Sequence, residues 1–441
     1  MKALKASVFL PLVAVLFVSL AATACDTSAA ADIAPPSVRD LAVVAPESVG
    51  MSSERLERLD AGMQQLIDDG ALAGITTMIA RHGKIAHAGT FGRQDIASET
   101  PMSSDAIFRI YSMSKPITGV ALMMLYEEGR FRLSDPVEKY IPEFTDLKVA
   151  AGVGADGPLL EDADHPMTIR ELMSHTGGLS YGIFSASQVD NLYQEANVLD
   201  PNGTLADMVD KLGKIPLRQQ PGSMWHYSVS VDVQGYLVEV LSGQPFDEFL
   251  QERIFDPLGM TDTGFHVPPD KADRFATVYG YGEDRSLVAD EMFGGGDPAD
   301  SPYLKPTTFF SGGGGLVAST MDYMRFCQMV LNGGELDGER ILSPLTIALM
   351  HRNQLPRELG EMSPGTGFGL DFAVIDDPVA ADGISKGEYY WGGAAGTWFW
   401  IDPVEDLVFV GMIQQFGQGL PDVRSLSRRL TYQAIIDANG N

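Results

Sequence analysis

The stretch from Phe108 to Gly129 predicts a buried helix, and it constrains the fold more than any other part of the sequence. Pro116 has no backbone N–H to donate, so it belongs in the first turn. Gly129 suits the end of the helix, which is predicted to begin near Ser112. Beyond the proline, apolar residues follow helical spacing and fill the positions between, at Ile117, Val120, Ala121, Leu122, Met123, Met124 and Leu125. A helix that is apolar nearly all round lies in a protein interior.

Ser112 and Lys115 would share one face of the first turn, because residues three apart are neighbours on a helix surface. A serine hydroxyl is a poor nucleophile until a neighbouring base takes its proton. A buried lysine can act as that base or assist it, and the positive end of the helix dipole favours a developing alkoxide. Ser-x-x-Lys at a helix start is a signature of serine β-lactamases and penicillin-binding proteins. By itself the tetrad also fits a helix-capping serine beside a surface lysine.

The charge of the chain limits its partners. Its 441 residues include 31 Lys and Arg against 59 Asp and Glu, a formal net charge of −28. A surface this acidic repels nucleic acid and anionic membranes, so neither is expected as a partner. Hydrophobic residues make up 45% of the chain and charged residues 20%, which is typical of a globular protein with a large core. The length allows two domains or a single large one.

The first 24 residues have the organisation of a signal peptide. Lys2 and Lys5 form a basic start, and the segment from Val8 to Leu20 is apolar. Ala22-Thr23-Ala24 supplies the small residues that precede a cleavage site. We therefore expect an exported protein whose signal peptide is residues 1–24.

Cys25 follows these small residues directly, in an arrangement that resembles a bacterial lipoprotein processing site. Lipid on Cys25 would attach a periplasmic protein to the membrane through a tether at residues 25–48, which are rich in Ala, Pro, Ser and Asp. Ordinary cleavage after Ala24 and an uncleaved anchor over residues 6–24 remain open. Membrane contact is thus expected only through a lipid or the signal segment. Cys327 is the only other cysteine, and no intramolecular disulfide framework is implied.

Strand-like segments lie towards both ends of the chain, with helical segments between them. Apolar runs bounded by turns predict strands at Gly74–Ala80, Lys84–Phe91, Gly367–Val374, Glu388–Trp391, Thr397–Ile401 and Leu407–Gln415. Helical spacing predicts helices at residues 53–70, 169–174, 205–212, 233–241, 246–254, 321–332 and 422–436. We therefore predict a discontinuous α/β domain formed by residues 49–134 and 306–441. A mostly helical domain would occupy residues 135–305.

Two further stretches hold residues that suit catalysis. Tyr227 lies in the segment Pro221–Val229, and its phenol would relay protons if it lay near Lys115. Trp391 begins the segment Trp391–Thr397, whose glycines permit a close approach of backbone N–H groups to an oxyanion. Packing also accounts for both stretches: a hydrogen-bonded core tyrosine in the first, and a bulge or tight hairpin with a core tryptophan in the second.

Other patterns are predicted to play no part in catalysis. Gly-x-Ser-x-Gly occurs around Ser180 and Ser385, but a nucleophile elbow needs a buried strand before the serine and a helix after it. Neither serine has that context. His175, within Ser174–Leu179, is predicted to be structural, and the spacing of the seven histidines indicates no metal site. We expect neither a metal nor another cofactor.

Together these stretches resemble the class C β-lactamase superfamily of serine hydrolases, over Pro46–Ala438. The resemblance rests on the order and spacing of five segments: Ser112–Lys115, Met167–Leu179, Pro221–Ser228, Asp256–Met260 and the segment that begins at Trp391. It implies a β-lactamase/DD-peptidase-like fold of the class α/β plus all-α. In that fold an antiparallel sheet is flanked by helices and interrupted by a large helical insertion. The active site would lie between the α/β domain and the helical domain.

Within the superfamily the chain is most similar to the family VIII carboxylesterases. That resemblance makes Ser112 the nucleophile that forms an acyl-enzyme. It makes Lys115 and Tyr227 the general-base pair. The backbone N–H groups of Ser112 and Ala394 would form the oxyanion hole.

Two departures from the β-lactamases bear on the substrate. Their Tyr-x-Asn motif reads Tyr227-Ser228-Val229 here, so its amide is missing. Their Lys-Thr-Gly motif reads Trp391-Gly392-Gly393, so the cation that meets a substrate carboxylate is missing. Family VIII esterases resemble this chain in the same Trp-Gly-Gly replacement, and Trp391, Gly392 and Gly393 are therefore expected to contact a small-molecule ester. A β-lactamase or D-alanyl-D-alanine carboxypeptidase, and a binding module without turnover, remain as alternatives.

Overall fold

The computed structural model describes residues 41–289, 300–417 and 419–438, all within the unit that extends from Val38 to Asn441. The predicted signal peptide, residues 1–24, and the predicted lipidation site Cys25 lie outside the described residues. The predicted tether does so only in part. Its end is described, and there Val43 pairs with Ile85 while residues 46–49 form a 3₁₀ helix. That end is therefore part of the folded chain.

The strands form one large sheet and several two-stranded ladders. In chain order they are β1 Gly74–Arg81, β2 Lys84–Asp95, β3 Thr100–Pro101, β4 Ile107–Arg109, β5 Lys148–Val153, β6 Pro158–Asp162, β7 Tyr279–Tyr281, β8 Leu287–Ala289, β9 Val317–Ser319, β10 Glu335–Leu336, β11 Glu339–Arg340, β12 Thr366–Phe368, β13 Ala373–Ile375, β14 Tyr389–Gly392, β15 Trp398–Asp402 and β16 Leu407–Met412. The large sheet has eight antiparallel strands in the order β12-β13-β14-β15-β16-β1-β2-β3. Both ends of the chain thus build one sheet.

The helices flank this sheet and fill the chain between its two halves. They are α1 Ser53–Asp68, α2 Ser114–Glu127, α3 Ile169–Met173, α4 Gln188–Glu195, α5 Leu205–Leu212, α6 Ser230–Ser242, α7 Phe246–Leu250, α8 Asp256–Leu258, α9 Thr320–Leu331, α10 Pro344–Met350 and α11 Val423–Tyr432. The predicted fold class is confirmed: an antiparallel sheet flanked by helices, with a large helical insertion. In the part of the chain that the structure describes, none of these helices has the length and apolar character needed to cross a bilayer.

Successive side chains of a strand point to opposite faces of the sheet. Both faces of the large sheet are covered by other elements. In β15, Trp398 and Trp400 pack in the layer that contains α1 and α11. Phe399 and Ile401 pack in the opposite layer, with α2 and α9. All four are at most 1% exposed. Burying one such side chain contributes about 1.5–3 kcal/mol, so the sheet is a firm support for the segments at its edge.

Helix α2 lies in the core, as predicted. A 3₁₀ turn, Tyr111–Met113, leads into it, and every residue of Ser114–Leu125 is buried. Gly129, just beyond its end, has a φ of +73°, a left-handed conformation that glycine adopts without strain. The helix packs against α6. It therefore connects the sheet side of the molecule with the helical insertion, and Ser112 is half-buried where its first turn reaches the surface.

The single strand predicted over Gly367–Val374 is wrong. The chain forms two strands there, β12 and β13, with a turn between them. Asp371 in this turn has a φ of +66°, and its carboxylate accepts a hydrogen bond of 3.0 Å from Gln234 of α6. A buried polar contact with a distant helix thus bends a run that reads as continuous strand.

Two ladders inside the region predicted to be helical were also missed. These are β5–β6 and β7–β8. Most of their side chains are exposed or half-buried, so they lack the apolar alternation that marks a strand in sequence. The division of the chain into an α/β domain and a helical domain stays a prediction. Cys327 is fully buried in the core with a free thiol.

Candidate active site

Ser112 lies on the 3₁₀ turn that leads into α2. Its neighbour Tyr111 has a φ of +42°, a strained conformation for a residue other than glycine. The ring of Tyr111 lies 6.2 Å from that of Tyr303 and 5.4 Å from that of Phe416, both edge-to-face. These contacts offset the strain and hold the backbone that positions the Ser112 hydroxyl.

Lys115 is fully buried, yet its ammonium has three hydrogen-bond partners. Its Nζ donates to the carbonyl oxygen of Gly313 at 2.5 Å, to the hydroxyl of Tyr181 at 2.9 Å and to Oγ of Ser112 at 3.3 Å. An ammonium carries three N–H donors, and a buried charge without partners is costly. These three acceptors therefore account for the burial. The alternative of a surface lysine is excluded.

The hydroxyl of Tyr227 lies 2.7 Å from Oγ of Ser112, although 115 residues separate the two in sequence. The segment around Tyr227 is fixed to His175. His226 donates its N–H to the carbonyl of His175 at 2.8 Å, and Ser228 donates its N–H to Nδ1 of the ring at 3.3 Å. Burial lowers the pKa of His175 well below its usual range, so the ring is neutral and Nδ1 is free to accept. His175 is structural, as predicted.

Tyr181, Asp232 and Gly313 belong to this group of residues but were not predicted. Oδ1 of Asp232 accepts hydrogen bonds from the N–H of Gly313 at 3.0 Å and from the hydroxyl of Ser311 at 2.5 Å. Burial raises the pKa of Asp232, and the cation of Lys115 opposes that rise. A Cβ on Gly313 would lie 2.5 Å from Oδ2 of Asp232 and 2.9 Å from the hydroxyl of Tyr181. Asp232 therefore holds the Gly313 carbonyl against Lys115, and only glycine fits there.

The sequence contains a signal for two of these residues. Asp232 is an acidic residue in the first turn of α6, a mostly apolar helix, and a buried charge of this kind needs a partner. Tyr181 lies two residues after the Ser174–Leu179 segment, inside the Gly-x-Ser-x-Gly pattern that was discounted for its serine. Gly313 lies in a run of four glycines whose individual roles the sequence does not distinguish.

The end of β14 approaches the Ser112 turn closely at Gly393. A Cβ on Gly393 would lie 2.4 Å from the carbonyl oxygen of Ile110 and 2.2 Å from Oγ1 of Thr397, so a larger residue does not fit. Ala394 comes next in the chain. Neither its N–H nor that of Ser112 donates to another residue in the described ranges. N–H groups without chain partners, on segments that touch, are what an oxyanion hole requires.

Trp391 and Gly392 line the same strand end. The Trp391 ring is half-buried and lies 5.5 Å from the ring of Tyr227 and 5.4 Å from that of Phe368. Gly392 leaves room for a guanidinium, because a Cβ there would lie 2.3 Å from Nη2 of Arg424. The segment thus presents an apolar ring where the β-lactamase motif has its lysine, and an arginine from α11 lies beside it.

Ser180 and Ser385 do not resemble nucleophiles in the structure either. Both are buried, and the hydroxyl of Ser180 donates to the carboxylate of Asp190. Ser385 lies in the loop before β14. Over residues 41–289, 300–417 and 419–438, no group of three or more His, Cys, Asp or Glu side chains is arranged to hold a metal ion.

Known proteins share this fold, and their sequences align with most of this chain. Esterase EstB of Burkholderia gladioli is 32% identical over 360 residues, which cover 78% of this chain and 86% of that protein. A putative D-alanyl-D-alanine carboxypeptidase of Escherichia coli K12 is 25% identical over 423 residues, covering 90% of this chain and 89% of that one. Among solved structures, EstCE1, described as a hydrolase with promiscuous acyltransferase activity, has a TM-score of 0.74. It is 28% identical and covers 87% of this chain and 99% of its own.

The family expected from the sequence is confirmed by these comparisons. The β-lactamase family model matches residues 59–433, well over half of the chain. EstB confirms the likeness to esterases, and EstCE1 the likeness to hydrolases, within the class C superfamily. The chain therefore belongs to the β-lactamase family, as a serine hydrolase whose relatives include an esterase.

Proposed function

We propose that the protein is a carboxylesterase that cleaves neutral esters through an acyl-enzyme on Ser112. One observation carries the proposal: Oγ of Ser112 lies 2.7 Å from the hydroxyl of Tyr227 and 3.3 Å from Nζ of Lys115. A serine in contact with both groups has a base pair able to remove its proton. The similarity to EstB and EstCE1 supports the choice of esters as substrates.

The proposed reaction has two halves. In the first, Oγ of Ser112 attacks the ester carbonyl carbon while the Lys115–Tyr227 pair, in the state that lacks one proton, accepts the hydroxyl proton. The N–H groups of Ser112 and Ala394 bind the oxyanion, and Tyr227 passes the proton to the leaving alcohol as the C–O bond breaks. In the second, water attacks the acyl-enzyme. The pair takes a proton from that water and returns it to Oγ as the carboxylic acid leaves.

Neutral esters should exceed β-lactams as substrates by at least ~100-fold in kcat/KM. A β-lactam carries a carboxylate that the site must hold, and a hydrogen bond to a charged group contributes ~1.5–3 kcal/mol, or roughly 10- to 150-fold in rate. Trp391 offers only apolar surface at that position. Rates with p-nitrophenyl butyrate and nitrocefin measure the difference. Trp391→Lys should narrow it, whereas Trp391→Phe, which adds no charge, should leave it unchanged.

A β-lactamase or D-alanyl-D-alanine carboxypeptidase is the second candidate, and one observation favours it. Nη2 of Arg424 lies against Gly392 and donates only a long bond of 3.4 Å to the carbonyl of Thr397. Among the residues that the structure describes, no carboxylate is within ion-pair distance of this guanidinium. Such a group is able to bind a substrate carboxylate. Nitrocefin hydrolysis as fast as ester hydrolysis in the wild type, lost selectively in Arg424→Ala, would replace the esterase with this candidate.

We also propose that the protein is exported and held at the periplasmic face of a membrane by lipid on Cys25. The support is the sequence alone, in which a basic start and an apolar stretch lead directly to the cysteine. The intact mass of protein from the membrane fraction should correspond to a chain that begins at Cys25 and carries acyl groups. Cys25→Ser should move it to the soluble fraction. An unmodified mature chain would indicate ordinary cleavage, and a retained Lys2 would indicate an uncleaved anchor.

A further inference from the structure

The loop of residues 180–187 is folded around the carboxylate of Asp190. Three hydroxyls of the loop donate to this carboxylate, those of Ser180, Ser185 and Ser187. Arg218 pairs with it at 3.1 Å. Burial raises the pKa of Asp190, but the serine hydrogen bonds outweigh burial and hold the pKa well below its usual range. The base of the loop is therefore fixed by an ionised, fully engaged carboxylate.

The tip of this loop presents two large apolar side chains to solvent. Ile183 and Phe184 are each 62% exposed and adjacent in the chain. Phe184 also contacts the two tyrosines that lie next to Ser112 and Lys115. Its ring lies 5.4 Å from that of Tyr181 and 5.8 Å from that of Tyr227. Phe184 thus extends from the two tyrosines to the solvent.

Tyr227 lies within a set of five aromatic rings at centroid distances of 4.9 to 6.2 Å. They are His175, Tyr181, Phe184, Trp225 and Trp391. His175 is fully buried, Tyr181, Trp225 and Trp391 are half-buried, and Phe184 is exposed. The five rings therefore surround Tyr227, which contacts Ser112, and extend from the core to the solvent. We call these five residues the aromatic collar.

We propose that Phe184 is a specificity-determining residue that binds the alcohol part of the ester, and that the preferred substrates are esters of aromatic or bulky apolar alcohols. The inference rests on the proposed function and narrows its substrate class. A ring or bulky group laid over Phe184 would cover apolar surface that is otherwise in water. Aromatic contacts of this kind correspond to roughly 2- to 12-fold in rate beyond the area covered.

The route of the proton indicates that the aromatic collar contacts the alcohol part of the ester and not the acyl part. The proton taken from Ser112 must reach the oxygen of the leaving alcohol. The Tyr227 hydroxyl, 2.7 Å from Oγ, is placed to deliver it. The leaving oxygen is then at the Tyr227 hydroxyl, so its substituent extends along the rings around that tyrosine. The acyl carbonyl is held on the other side, by the N–H groups of Ser112 and Ala394.

Acetate esters of n-propanol, cyclohexylmethanol, benzyl alcohol and 2-naphthylmethanol test the inference, because the acyl group stays constant and the alcohols have similar acidity. In the wild type, kcat/KM should rise with the size of the apolar group. Phe184→Ala should lower kcat/KM for the 2-naphthylmethyl ester by roughly 5- to 12-fold and leave the n-propyl ester within about twofold. Phe184→Tyr, which keeps the ring, should restore the preference. Leu345→Ala removes a side chain that is 81% exposed on α10, and it should change neither ester.

Three results would overturn the inference: an equal loss for every ester, no loss for any, or a loss that follows acyl size in a matched series of propyl esters. A second readout, binding of 2-naphthylmethanol measured by calorimetry, does not require turnover. Phe184→Ala should weaken that binding and Leu345→Ala should not. If the wild type hydrolyses no ester, the proposed function fails. The binding data then test the role of Phe184 separately. If Phe184→Ala binds 2-naphthylmethanol as tightly as the wild type, that role is rejected.

Discussion

Ser112→Ala should lower kcat for ester hydrolysis by a factor on the order of 10³ to 10⁶, as removal of a nucleophile does in other serine hydrolases. The structure gives the physical reason. Ser112 is the hydroxyl in contact with both Lys115 and Tyr227, so its loss leaves the base pair with no group to activate. Initial rates with p-nitrophenyl butyrate measure the effect. Intact mass after rapid quenching should show an acyl adduct on the wild type and none on the variant.

Ser180→Ala and Ser385→Ala are the matched controls, and each should stay within about tenfold of the wild type. Ser180→Ala removes one hydrogen bond to Asp190 but leaves those from Ser185 and Ser187. Its folding should be checked by circular dichroism. Abolished turnover in Ser180→Ala, with the fold and the acylation of Ser112 both intact, would contradict the assignment of a single nucleophile.

The features that the sequence predicts well depend on local geometry. The spacing of Ser112 and Lys115 needs only a helix to place both on one face, and the apolar residues that follow predict the burial of α2. The strands β1, β2, β15 and β16 could be predicted from their residues alone. Alternating apolar and polar residues indicate a strand buried on one face, and a continuous apolar run indicates a strand buried on both faces. Resemblance to a family extended this local information to Tyr227, which no spacing argument connects to Ser112.

The features that the sequence does not predict depend on contacts between distant segments. Lys115 meets Tyr181 across 66 residues and Gly313 across 198. Asp232 reaches the Gly313 loop across 81 residues. The local sequence around one residue of each pair does not identify its partner. The Gly367–Val374 segment shows the opposite failure. There a strong local strand pattern gives way to a turn, because Asp371 hydrogen-bonds to Gln234 on α6.

The structure also changes how the lysine is understood. From sequence, a buried lysine suggests a base that has lost its charge by desolvation. In the fold, Nζ of Lys115 donates hydrogen bonds to three acceptors. One of them is the carbonyl oxygen of Gly313, whose N–H donates to the carboxylate of Asp232. This arrangement suits a cation, and Nζ lies 4.7 Å from the centre of the Tyr227 ring. Tyr227 makes the shorter contact with Oγ of Ser112, 2.7 Å against 3.3 Å for Nζ of Lys115, so the two residues act on the same oxygen.

Lys115→Ala and Tyr227→Phe should therefore not be additive. Removing a general base or the group that activates it lowers kcat by roughly 10² to 10⁴. If the two residues work as one pair, the double variant should be little worse than the worse single variant.

Tyr181→Phe is the matched control, because it removes a phenol that contacts Nζ but has no hydrogen bond to Ser112 among the described residues. It should cost less than Tyr227→Phe. The measurement is kcat for p-nitrophenyl butyrate in all four variants, with circular dichroism to confirm folding. Losses in the double variant that equal the product of the single losses would mean that the two residues act independently, and the base pair would have to be reassigned.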